Sequence, residues 1–386
     1  MRPLIHNRVL LTLSILLAVA AVTLPFLNYA PNRLVSGQPF PLHHFLSGAS
    51  WLLIVPVVIL LLLAFLPVTR WNLVLVIMLG EGLFIAFIAL SGHQTTTFSQ
   101  QGSPLARTSW GSGFWLLTAL CLLMVADGAA RITKNALWRL LINGQVWLPV
   151  VALLLSDRLD QLAVLKEYAN RQEVFDQALS RHLLLLAGTL IPTLVISIPL
   201  GWLCAKKTAI QSPVFAVLNV IQTVPSIALF GLLVAPLAGL ARAFPALSTL
   251  GISGIGMAPA LIALVLYALL PLVRSVVAGL QQVPKEVIET AEGMGMTRGQ
   301  ILWYAEVPLA LPVLLTGLRV VAVQTVGMAV IAALTGAGGF GAIIFQGLLS
   351  SALELVLLGV IPVIALAVII DALFKFLLSV IEAKRQ

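Results

Sequence analysis

Apolar runs long enough to span a bilayer recur along the whole chain, separated by short polar connections. A crossing needs about 20 mainly apolar residues. Such runs occupy 9–27, 50–66, 72–91, 112–130, 138–156, 182–204, 213–235, 256–278, 304–331 and 353–380. Backbone amides in hydrocarbon must be satisfied within the segment, and the alternating pattern of a barrel strand is absent, so the runs predict helices. Of 386 residues, 60% are hydrophobic and 9% charged, which leaves too little polar surface for a soluble globule. The expected fold is an all-α polytopic membrane bundle of about ten transmembrane helices. Arg2 and Arg8 precede the first run as they would in a signal peptide, but no clean cleavage site precedes Pro25, so an uncleaved helix is expected.

The basic residues set an orientation. With the N-terminus inside, one side collects Arg2, Arg8, Arg70, Arg131, Lys134, Arg139, Lys206, Lys207, Arg274, Lys285, Arg298, Lys375, Lys384 and Arg385. The other side holds Arg33, Arg107, Arg158, Lys166, Arg171, Arg181 and Arg242, and Arg319 lies within a crossing. Both termini are therefore expected in the cytoplasm. The formal charge of +8 is dispersed, with no basic run or stripe, so it reads as topology and not as nucleic-acid binding. Cys121 and Cys204 lie in apolar runs and read as packing residues.

Three regions follow. Residues 1–156 form an N-terminal membrane extension of about five helices, 157–181 is a mixed-charge amphipathic segment on the outer side, and 182–386 carries the remaining five crossings. The middle segment reads either as a helix on the membrane surface or as a solvated connector.

No HExxH and no Walker A loop occurs, so neither a zinc protease nor a P-loop nucleotide site is expected. A formal GxGxxG at Gly336, Gly338 and Gly341, with Gly339 between them, follows a membrane run where a dinucleotide site needs a strand. These glycines are expected to form an outer gate, a re-entrant turn or a helix break. His43, His44 and His93 show no metal-ligand spacing.

The stretch "PKEVIETAEGMGMTRGQILWYAEVP", residues 284–308, interrupts two apolar runs on the predicted cytoplasmic side. Pro284 suits a first helical turn. Glu286 and Glu289 share a polar face, with Val287, Ile288 and Ala291 more apolar. Gly293 and Gly295 are expected to end this helix, and Thr297 with Gln300 predicts a capping box for the next. A short helix tied to crossings at both ends reads equally as a docking lever or as a connector lying on the surface.

The segment resembles the EAA loop of ATP-binding-cassette importer permeases. Glu289, Ala291, Gly295 and Pro308 stand at the matching spacing, with Thr290, Ala305 and Val307 as departures. The resemblance spans roughly 180–386 and includes "VIQTVPSIALFGLL" and "GLRVVAVQTVGMAVIAALTGAGGFG", which are similar to the branch importing glycine betaine and related osmoprotectants. It implies a type I importer permease core in a bacterial inner membrane. It also implies pairing with a second permease chain, a periplasmic substrate-binding protein, and ATPase subunits that carry ATP and Mg, with no cofactor on this chain. Glu289, Ala291 and Gly295 would make the ATPase contact, and Arg298 a rim contact.

A quaternary amine handed over by a binding protein needs only a weak polar route through the membrane. Gln222, Thr223, Pro225, Ser226, Gln324 and Thr325 are candidates for it, the alternative being that they hold helices together. Arg319 is costly in a membrane, and structural pairing or a substrate contact would each explain it. Asp371 and Lys375 are spaced to pair on one helix face, while Glu354 lies at the outer mouth. A secondary transporter using Glu81, Asp127 or Asp371 as relays is the main alternative, and an intramembrane enzyme lacks a recognisable catalytic pair.

Overall fold

A computed structural model describes residues 5–32, 35, 37–102, 106–249 and 251–383. Arg2, Arg33, Lys384 and Arg385 of the orientation argument lie outside the described residues. The chain divides into two compact units, Met1–Asn170 and Arg171–Gln386.

Eight helices among the described residues are long and apolar enough to cross a membrane: Arg70–Gln101, Ser112–Ile132, Ala136–Leu154, Gln172–Lys206, Ser226–Ala243, Met257–Gln281, Arg298–Thr335 and Leu353–Ile381. Eight of the ten expected runs fall on them. The first two fall instead on shorter apolar helices, Arg8–Thr23 and Ser50–Leu63. The fold is the helical membrane bundle expected.

The first unit contains α1 (Arg8–Thr23), β1 (Pro25–Ala30), β2 (Gln38–Pro41), α2 (Ile54–Leu63), α3 (Arg70–Gln101), β3 (Arg107–Trp110), α4 (Ser112–Ile132), α5 (Ala136–Gln145), α6 (Trp147–Leu154) and α7 (Ala163–Asn170). The strands were not foreseen. They form an antiparallel sheet in the order β2-β1-β3, with Leu27 of β1 opposite Phe40 and Trp110. Pro25 opens the central strand and Pro39 and Pro41 lie on an edge strand, the places where a missing amide hydrogen is tolerated. Phe26, fully buried, meets the rings of Phe45, Phe87 and Phe114 at 6.2, 6.1 and 5.7 Å, which seats the sheet on α3 and α4.

The second unit contains α8 (Gln172–Lys206), α9 (Thr208–Thr223), α10 (Ser226–Ala243), α11 (Pro245–Thr249), α12 (Met257–Gln281), α13 (Lys285–Gly293), α14 (Arg298–Ile301), α15 (Val307–Ile331), α16 (Phe340–Leu349) and α17 (Leu353–Ala383). Its centre is α12, which packs along α8 and α15. Buried alanines at 260, 263, 329 and 332 pack with Leu185, Phe230 and Leu264, the small residues that let membrane helices approach closely. The expected run 213–235 is two helices, because Pro225 cannot donate to the helical ladder and α10 restarts after it. The 35 residues of α8 include the 172–181 part of the amphipathic segment, continuous with the membrane helix.

Candidate functional site

The polar segment folds as a helix, an elbow and a second helix, held between α12 and α15. Pro284 is the N-cap of α13 rather than a residue of its first turn, with an extended ψ of 137°. Gly293 is the last helical residue and does not terminate the helix; Gly295 does. The Met296 amide donates to Ala291 O at 3.1 Å and the Gly295 amide to Glu292 O at 2.9 Å. This is the Schellman arrangement, with Gly295 left-handed at φ +80°. A side chain at 295 would meet open space, so the requirement for glycine is one of backbone conformation. Thr297 and Gln300 form the capping box: the Thr297 amide donates to Gln300 Oε1 at 2.8 Å and the Gln300 amide to Thr297 Oγ1 at 3.4 Å.

This geometry sorts the side chains. Ala291 turns inward and is 4% exposed, while Glu286, Glu289, Glu292 and Arg298 are exposed. Thr290 is exposed and its hydroxyl donates to Glu286 O at 2.6 Å, which satisfies it locally. Glu286, Glu289 and Glu292 recur every third residue and make one acidic stripe. Met294, Trp303 and Tyr304 are also exposed, the last two 68% and 75%, and the turn Leu302–Glu306 that carries the aromatic pair contacts α13. An acidic, partly aromatic ridge has the chemistry of a docking surface for a basic groove. The sequence reading overlooked the aromatic part, although "LWY" directly after a cap was a visible cue.

From Leu302 to Glu306 the chain takes a π turn before Pro308 in the first turn of α15. A proline ring crowds the carbonyl four residues back, and the wider turn relieves that crowding. Glu306, on this turn, is buried, and its Oε1 accepts from Lys206 Nζ at 2.6 Å. The sequence reading missed this pair too. Glu306 has no cation three or four residues away on its own helix, which was the available signal that its partner comes from another.

At the break between α9 and α10, Gln222 Nε2 donates to Tyr267 O at 2.9 Å and the Tyr267 hydroxyl donates to Val224 O. The carbonyl that an amide at 225 would have bonded, Ile221 O, accepts from the Val224 amide at 3.3 Å, and Val224 O, left outside both helices, is taken up by a tyrosine of α12 that the sequence reading did not single out. Thr223 donates to Val220 O at 2.7 Å on an exposed face, and Ser226 begins α10 half-buried. Gln324 is exposed on α15, whereas Thr325 is buried and donates to Val321 O at 2.7 Å. Among the described residues, no hydrogen bond joins the 222–226 group to Gln324 or Thr325.

At the opposite end of α15, Gly336, Gly338 and Gly339 have φ of +83°, +81° and +77° and form the turn between a short 3-10 segment and α16. Gly339, with ψ −173°, occupies a region open essentially to glycine alone. A Cβ on Gly341 would overlap the Val330 carbonyl oxygen, so this glycine permits the α15–α16 approach.

The membrane charges are paired. Arg319 Nε lies 2.5 Å from Asp371 Oδ1, and Lys375 Nζ 2.7 Å from Asp371 Oδ2. Asp127 pairs with Arg131 at 2.8 Å, and both oxygens of Glu81 accept from Gln145 Nε2, at 2.9 and 3.0 Å. Among the described residues no group of three or more His, Cys, Asp or Glu could hold a metal ion.

Comparison with known proteins gives two family matches. Residues 7–165 match the family described as ABC transporter permease YehY, N-terminal domain. Residues 197–382 match the binding-protein-dependent transport system inner membrane component. The chain is 36% identical over 204 residues to the osmoprotectant import permease protein OsmW of Salmonella typhimurium, an alignment covering 53% of this chain and 90% of the relative. It is 34% identical over 213 residues to the glycine betaine/carnitine/choline transport system permease protein OpuCD of Bacillus subtilis, covering 54% and 86%. A solved structure of the MetNI methionine ABC transporter is similar at 22% identity and a TM-score of 0.46, covering 54% of this chain and 96% of that one. Eight spans, the 197–382 match and the OsmW alignment agree: the chain belongs to the family of inner membrane components of binding-protein-dependent transport systems, and is a permease subunit of an ATP-binding-cassette importer.

Proposed function

We propose that this permease imports osmoprotectants of the quaternary-amine class and is driven through residues 284–308, which dock an ATPase subunit. The observation that carries the docking role is the exposed acidic helix α13, ended by the Schellman turn at Gly295 and fixed between α12 and α15. In this reading Glu289 makes the contact with the ATPase and Gly295 sets the elbow beside it, whereas Ala291, expected in the contact, is buried and packs α13 against its own chain instead; Arg298 lies at the rim, and Pro308 sets the start of α15. ATP and Mg bind on the partner subunit. A second permease chain completes the pathway, lipid surrounds the bundle, a periplasmic binding protein delivers the solute, and both termini lie in the cytoplasm.

The names of the relatives support the substrate class. The outer-gate role belongs to Gly336, Gly338, Gly339 and Gly341. The path role rests on the exposed Thr223 and Gln324 more than on the buried Thr325. Residues 1–156 act as an added membrane domain, 157–181 as its link, and 182–386 as the permease core. Pairing of Asp127 and Asp371 with neighbouring cations speaks against their use as proton relays.

The test is ATP hydrolysis by the complex reconstituted with its ATPase and binding protein, assayed across glycine betaine, carnitine, choline and unrelated amino acids. Stimulation by the quaternary amines alone is expected. Stimulation only by other solutes would overturn the substrate class, and uphill uptake without an ATPase subunit would overturn the energy source.

A further inference from the structure

We propose that Lys206 and Glu306 form a latch that delivers the movement of the docking segment to α8; this rests on the docking role proposed above. The backbone supplies the reason a latch is needed. Between the docking helix and the body of α15 lies the π turn Leu302–Glu306, where the regular helical hydrogen-bond ladder is interrupted. Such a turn yields more readily than the regular helix that follows it, and a push arriving from α13 would bend it before moving α15.

Glu306 is the last residue of that turn. Its side chain is 6% exposed and is held by Lys206 Nζ, whose own side chain is 46% exposed. Parting the two would leave a buried carboxylate without its counter-charge, which is costly, so the turn is pinned to Lys206. Lys206 is the last residue of α8, where a cation also meets the negative end of the helix dipole.

The latch gives the lever a third helix. Through the chain itself α13 is tied to α12 and α15; through Lys206 it also holds α8. That helix, 35 residues long in all, runs from Lys206 back to His182, which lies against the glycine turn. There His182 Nε2 donates to Val326 O, 3.2 Å away, and the ring packs 5.4 Å from that of Phe340. A Cβ on Gly339 would stand 3.2 Å from His182 Nδ1. A single helix, with Pro192 and Pro199 within it, therefore joins the buried pair at one end to the glycine turn at the other. Lys206 and Glu306 are positioning residues: neither touches ATP or solute, and both act through α8.

The experiment uses the complete complex in proteoliposomes and reads three quantities: ATPase subunit retained, ATP hydrolysed, and solute moved per ATP. Lys206→Met is expected to retain the ATPase subunit and its hydrolysis while lowering solute moved per ATP about tenfold. Exchanging the charges, Lys206→Glu with Glu306→Lys, is expected to restore much of that ratio. Glu306→Gln strands no buried charge, because the Lys206 side chain it leaves is 46% exposed, so it remains a fair test if Lys206→Met folds poorly, and it is expected to lower the ratio as well. An unchanged ratio in Glu306→Gln, or no rescue by a folded exchange variant, would overturn the latch. Failure of the docking role would look different: ATPase retention would be indifferent to Glu289→Lys.

Discussion

Replacing Glu289 with Lys is expected to lower ATP-driven uptake about 100-fold, because reversing a charge at a docking contact costs several kcal/mol and each 1.4 kcal/mol is a factor of ten. The folded chain itself should tolerate the change. Glu289 is exposed on α13, and among the described residues no ion pair holds it. Loss should therefore appear as poor retention of the ATPase subunit by a permease of normal yield. The acidic stripe makes the effect directional: Glu289→Gln should cost less than Glu289→Lys, since it removes one attraction without adding a repulsion. Uptake that survives the reversal with normal expression would count against docking through this helix.

Gly341→Val is expected to be the most damaging single change to folding. Its Cβ would overlap the Val330 carbonyl oxygen, a backbone atom of α15 that cannot rotate away, and would also press on Ala333. Overpacking of this kind costs about 3 kcal/mol or more when the obstacle is backbone. The expected result is a sharp loss of folded protein and a lowered unfolding temperature in detergent. Gly144→Ala, where nothing lies within 4 Å, should leave both unchanged. A Gly341→Val protein as stable as the parent would mean that α16 does not pack on α15 as described.

The helices were legible because their signal is local. Twenty consecutive apolar residues announce a crossing wherever they stand, and the capping box at Thr297 and Gln300 is a four-residue pattern that needs no knowledge of the rest. The sheet was not legible: β1, β2 and β3 are 6, 4 and 4 residues long, and the prolines at 25, 39 and 41 argue against strands unless one knows which edge is free. The break in 213–235 was half visible. Pro225 marked it, but the partner that makes it affordable, the Tyr267 hydroxyl on Val224 O, lies 43 residues away.

The same distinction divides the candidate site. The role of Gly295 follows from a local turn, so its position could be read directly. Lys206 and Glu306 are 100 residues apart, and their meeting depends on how α8 and α15 cross. Arg319 shows the intermediate case: a lone cation in a crossing demands a counter-charge, and Asp371 on α17 supplies it 52 residues later. Buried charge told that a partner existed, and packing told which.

Thiol crosslinking from position 289 in inside-out membrane vesicles tests the docking role most directly. Cys121 and Cys204 are both buried, so a Glu289→Cys chain offers one accessible thiol among the described residues. The expected result is a crosslink to the ATPase subunit that forms in the assembled complex and is lost when that subunit is stripped away. Absence of the crosslink in an active complex, with the thiol instead labelled from the outer face of intact cells, would contradict it.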